Sequence, residues 1–94
     1  MKYRYGIPKQ VTILGRHFKI SFKDKLENGY MGLCEANELL ILIVKDRAEM
    51  RRTFLHEVIH ATFRALSMEQ TSIHPDIEEI IAENVAKVME PILY

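Results

Sequence analysis

The spacing of apolar and polar residues changes near Lys45. Before it, apolar residues alternate with polar ones or run continuously; after it, they recur every three to four positions. Residues 11–14, Val-Thr-Ile-Leu, read as a strand and Gly15-Arg16 as a turn. Residues 17–23 read as a second strand, with Phe18, Ile20 and Phe22 alternating with Lys19, Ser21 and Lys23. Asn28-Gly29 is turn sequence. Residues 30–35 form a less regular strand candidate. Asn37-Glu38 can turn it into residues 39–44, Leu-Leu-Ile-Leu-Ile-Val, which are apolar on both faces and suit a strand buried on both sides.

From residue 47 to about 67 no Gly or Pro interrupts the chain. At ~100° per residue Leu55, Val58, Ile59, Thr62, Phe63 and Leu66 fall in one stripe, and Met50, Phe54, Ala61 and Ala65 make a second apolar side. Residues 67–73 are polar enough for a loop. His74-Pro75-Asp76 has the form of a helix start, and the helix it opens should run to about Met89, with Pro91 as its stop. Its apolar face would comprise Ile77, Ile81, Val85, Val88 and Met89. Strands grouped before helices predict an α+β domain over residues 1–94: a small antiparallel or mixed sheet of three to four strands, followed by two packed helices.

Composition narrows the function. The 94 residues carry 13 Lys and Arg against 13 Asp and Glu, so no strong positive field exists to drive nucleic-acid binding. The longest apolar run, residues 39–44, is far short of the ~20 residues that a membrane helix needs, and the start of the chain has no apolar core for a signal peptide. Cys34 is the one cysteine, so no intrachain disulfide can form. A cytoplasmic protein, bound neither to nucleic acid nor to membrane, is expected.

His56-Glu57-Val58-Ile59-His60 is an H-E-x-x-H sequence inside the first helical pattern. Residues i and i+4 share one helical face, so both imidazoles can reach one metal ion. Glu57 projects ~100° from His56, which suits a general base acting on metal-bound water better than a ligand. A catalytic zinc site needs a third protein ligand. His74, Glu78, Glu79 and Glu83 are the candidates. Periodicity places Glu78 among the apolar residues of the last helix, where a carboxylate is costly unless paired or bound to metal, and so favours it. One residue of helix phase would substitute Glu79. His74, in a loop before Pro75, is the weaker candidate and could cap the helix instead.

These residues resemble a known family. Asn28-Gly29-Tyr30-Met31-Gly32, Leu40-Ile41-Leu42-Ile43 and, above all, Thr53-Phe54-Leu55-His56-Glu57-Val58-Ile59-His60-Ala61 are similar to the compact zincin-like metallopeptidases of bacteriophages and prophages, themselves distantly similar to the ImmA/IrrE metallopeptidases. The resemblance spans about residues 11–88. It implies a zinc site with His56 and His60 as ligands, Glu57 as general base and a glutamate of the last helix as third ligand. It also implies that residues 39–44, or the strand beside them, hold an extended peptide or protein substrate by strand addition.

The expected activity is therefore zinc-dependent hydrolysis of peptide bonds. The alternative is a non-catalytic phage accessory or protein-binding module on the same scaffold, with a structural metal. Tyr30 and Arg64 are candidates for stabilising an oxyanion. Cys34 reads as a packing residue and His17 as a surface residue. The tail Pro91-Ile92-Leu93-Tyr94 would pack on the sheet or mediate self-association; no oligomeric state follows from the sequence.

Overall fold

The computed structural model describes residues 3–69 and 74–94, and its architecture is the α+β arrangement expected. Strands β1 (Tyr3–Arg4) and β2 (Ile7–Pro8) form a small hairpin of their own. Strands β3 (Gln10–Ile13), β4 (Arg16–Lys23), β5 (Gly32–Glu35) and β6 (Leu40–Val44) form one mixed sheet in the order β3-β4-β6-β5. Helices α1 (Met50–Glu69) and α2 (Pro75–Leu93) follow. No helix of the described residues is long and apolar enough to cross a membrane.

The sheet order follows from the hydrophobic pattern. β6 is apolar on both faces, and Ile41, Leu42, Ile43 and Val44 are all buried, so it belongs in the interior of the sheet. It pairs parallel with β4, Ile20 opposite Ile41, and antiparallel with β5, Cys34 opposite Ile41. A 3₁₀ turn at Glu27–Gly29 lies on the path to β5, and a second at Ala36–Glu38 returns the chain beside it. Residues 39–44 are therefore not an edge; the strand beside them, β5, is.

Phe18, Ile20, Ile41 and Ile43 point to the helix side and form the core with Ile7, Ile13, Met50, Phe54, Ala61 and Ala65. On α1 the buried side is thus the one bearing Met50, Phe54, Ala61 and Ala65. The stripe through Leu55 and Val58 is only half-buried, and Leu66 is exposed. Large side chains on the sheet leave room for alanines on the helix, so the small residues mark the closest approach.

Three expectations need correction. The buried side of α2 is Glu78, Ala82 and Ala86, not the apolar face expected, since Ile77, Val85 and Val88 are exposed. Pro91 does not stop α2, which runs to Leu93. In the last turn proline forfeits one backbone bond, to the Lys87 carbonyl, at an exposed position where water can replace it. The loop expected over 67–73 is helical as far as Glu69, and 70–73 lie outside the described residues. The β1–β2 hairpin was not legible, because two-residue strands carry no period.

The β3–β4 hairpin turns at Leu14 and Gly15, with φ of 49° and 81°. Both central residues at positive φ is the turn type whose preferred sequence is Asn-Gly. Leucine there bears a steric cost that asparagine largely avoids. Leu14 is exposed, so little burial is lost on replacement. Leu14→Asn should stabilise the protein by roughly 0.5–1 kcal/mol, seen as a higher midpoint in thermal denaturation.

Candidate metal centre

α1 presents His56 and His60 one turn apart on the side facing α2, and α2 brings Glu78, Glu79 and Glu83 against them. The two Nε2 atoms lie 3.0 Å apart. Glu79 spans them, with Oε1 3.0 Å from His56 Nε2 and Oε2 2.9 Å from His60 Nε2. His56, His60 and Glu79 thus offer three donor atoms close enough to hold one ion. Separations near 3 Å approach the ~3.3 Å edge of a tetrahedron whose ligands sit at ~2.0–2.1 Å, and two imidazole nitrogens with a carboxylate oxygen suit a divalent transition metal.

The other imidazole nitrogens are also engaged. His60 Nδ1 lies 2.5 Å from Glu78 Oε2, and His56 Nδ1 lies 3.2 Å from Glu83 Oε2. An Nδ1–H donating to a carboxylate fixes the tautomer that leaves the Nε2 lone pair for a metal. Glu78 is 2% exposed, and Arg64 Nη2 approaches the same oxygen at 3.4 Å, so its buried charge is compensated twice. Of the third-ligand candidates, then, Glu79 reaches the two Nε2 atoms, while Glu78 and Glu83 reach the Nδ1 atoms. His74 caps α2, its Nδ1 accepting from the Asp76 N–H at 3.2 Å, and is not among the grouped donors.

Glu57 lies on the sheet side of the two histidines and is 8% exposed. Burial pushes its carboxyl up from 4.5 to about 7; His60 opposes this and Glu79 adds to it. Glu57, His56, His60 and Glu79 line one open cleft of about 640 Å³, whose opposite wall is Tyr30, Met31, Gly32, Leu33 and Cys34 at the free edge of the sheet. Arg64 lines it too. Burial, with Glu57 as the next cause, pushes the Cys34 thiol up to about 11, so Cys34 stays protonated and is no nucleophile.

Gly32 has a role that no sequence signal announced. A Cβ there would sit 2.5 Å from Thr53 Cγ2 and 3.2 Å from Glu57 Oε2. Its missing side chain is what lets β5 run directly beside α1 and Glu57.

Two predictions follow from this packing. Gly32→Ala should destabilise the fold by roughly 1–3 kcal/mol through overpacking, and Thr53→Ser, which removes the clashing methyl, should recover a large part of that loss in a denaturation cycle. The second concerns Glu57 in metal-free protein. Its pKa is raised on folding, so its contribution is fully present below pH 4.5 and is lost as pH rises through about 7. Glu57→Gln mimics the protonated state at every pH. It should exceed wild type in stability by on the order of 2 kcal/mol at pH ~8 and match it near pH ~4. Equal urea midpoints at the higher pH would mean the carboxylate is not desolvated.

Comparison with protein-family models, with curated proteins and with solved structures finds no match to this chain.

Proposed function

We propose that the protein is a zinc-dependent peptidase in which His56, His60 and Glu79 hold the metal and Glu57 is the general base. The observation that carries this reading is the meeting of both Nε2 atoms with Glu79 in a cleft that also contains a desolvated carboxylate. Zinc held there would acidify a coordinated water and polarise the carbonyl under attack.

The chain's own residues supply the other functions. Glu57, raised towards neutrality, takes the proton of the attacking water and returns it to the leaving amine. Glu78 and Glu83 hold the imidazoles through Nδ1. Arg64 and Tyr30 line the same cleft and are the available donors for a developing oxyanion. The free edge of β5 lies along the cleft, where an extended peptide can add as a further strand. The resemblance of residues 53–61 to phage zincin-like metallopeptidases agrees with this reading. A single half-buried thiol suits the reducing cytoplasm, where we place the protein.

The test begins with elemental analysis of protein purified without added metal. Wild type should carry about one zinc per chain, and His56→Ala/His60→Ala none. Glu78→Gln should lower metal affinity by roughly 10–100-fold. Glu57→Gln should bind zinc nearly as well as wild type and leave an unstructured protein substrate uncleaved. No uptake on zinc titration would sink the proposal. Zinc binding without cleavage of any substrate would favour the non-catalytic, metal-stabilised module instead.

A further inference from the structure

α2 keeps its charged side for α1 and turns its apolar side outward. Ile77, Ile80, Val85, Val88 and Ile92 are 49%, 61%, 40%, 60% and 69% exposed. On a helix they fall within a sector of roughly 140°. No charged residue of α2 lies in that sector; Glu79, Glu83 and Glu90 lie opposite it, bonded to His56, His60 and Arg52.

We infer that this face is a homodimer interface, in which α2 packs antiparallel on α2 of a second copy about a two-fold axis beside Val85. The spacing supports a self-complementary contact. Ile77, the half-buried Ile81, Val85, Val88 and Ile92 are separated by four, four, three and four positions, nearly the same sequence read backwards. An antiparallel partner therefore sets Ile77 opposite Ile92, Ile81 opposite Val88, and Val85 against its own copy. The i±4 rows through Ile77, Ile81 and Val85 and through Ile80, Asn84, Val88 and Ile92 supply ridges for helix–helix packing, and an isologous contact is what a two-fold axis requires. With no charge in the sector, no like charges are brought together.

The area fits as well. The exposed Ile77, Ile80, Val85, Val88 and Ile92 leave on the order of 500 Å² of apolar surface, at the upper end for the largest patch of a monomer. Two copies, with flanking residues, would bury roughly 1,000–1,200 Å², near the lower bound of a specific interface, as a reversible dimer needs. A bilayer surface is the poorer partner: the rest of α2 is acidic, with Asp76, Glu78, Glu79, Glu83 and Glu90 against Lys87 alone, whereas helices that lie on membranes carry basic polar faces.

Sedimentation velocity of the full chain from about 1 to 200 µM tests the inference. Wild type should pass from the 11.0 kDa monomer to a species of twice that mass. Val88→Glu and Ile80→Glu should each weaken association at least ~10-fold. Leu14→Glu, in the β3–β4 turn, should leave it unchanged. Both α2 positions are exposed, so circular dichroism and thermal midpoints should show folded variants, and zinc uptake should not change, because the cleft lies on the other side of α2. A wild type that stays monomeric at the highest concentration overturns the inference. So does a Val88→Glu variant that dimerises as tightly as wild type.

Discussion

The packing of α2 on α1 is decided by carboxylates meeting imidazoles. Glu78 is buried almost completely, and an unpaired carboxylate there would be expensive. His60 and Arg64 make the position tolerable. Removing both partners would leave an uncompensated buried charge, whereas the alanines beside it, Ala82 and Ala86, contribute mainly close approach. Once Glu78 is directed at His60, the rotation of α2 is fixed. Glu79 and Glu83 then fall on the cleft, and the isoleucines and valines must face outward. The candidate metal centre and the apolar outer face are two results of one helix rotation.

The opposite wall of the cleft depends on a second constraint, the absence of a side chain at Gly32. Sheet and helix meet there more closely than any Cβ allows. The approach removes water from Glu57 and so raises its pKa. It also places the unpaired edge of β5 within the same cleft as the two histidines. A bare edge strand is normally a hazard that proteins cover or break up. Here it is four residues long and bounded by 3₁₀ turns at Glu27–Gly29 and Ala36–Glu38, which limits the pairing it can offer to a short segment.

Much of this was legible in the sequence where a residue's role depends on its neighbours along the chain. The continuous apolar run of β6 located the central strand, the alternation in β4 gave its buried face, and the i and i+4 spacing of His56 and His60 placed two imidazoles together. What the pattern left open was the buried side of α1, and what failed was the phase of α2. Periodicity gave α1 two apolar sides and did not choose between them; the sheet receives the one with Ala61 and Ala65, whose value is their small size. On α2 it counted Ile77, Val85 and Val88 as buried, having no means of knowing that imidazoles from α1 would draw the acidic side inward. The choice between Glu78 and Glu79 turns on the same fact. It requires the distance between two helices, which no spacing within one of them encodes. Gly32 was invisible for a related reason, since its contacts, Thr53 and Glu57, are distant in sequence.

The charges of the cleft point in one direction. Glu57, Glu78, Glu79 and Glu83 converge on two imidazoles, with Arg64 beside Glu78 and Lys87 beside Glu83 as fixed cations. Within this set Glu79 raises the proton affinity of Glu57, adding to the effect of burial. A divalent cation bound between His56, His60 and Glu79 would reverse that repulsion and draw the two helices together through its ligands. On the proposed reading, the same acidic density would favour a divalent cation between the helices. Ala82 and Ala86, the buried apolar residues of α2, bring the helices close but bury little side-chain area themselves, so such an ion would add to their contact.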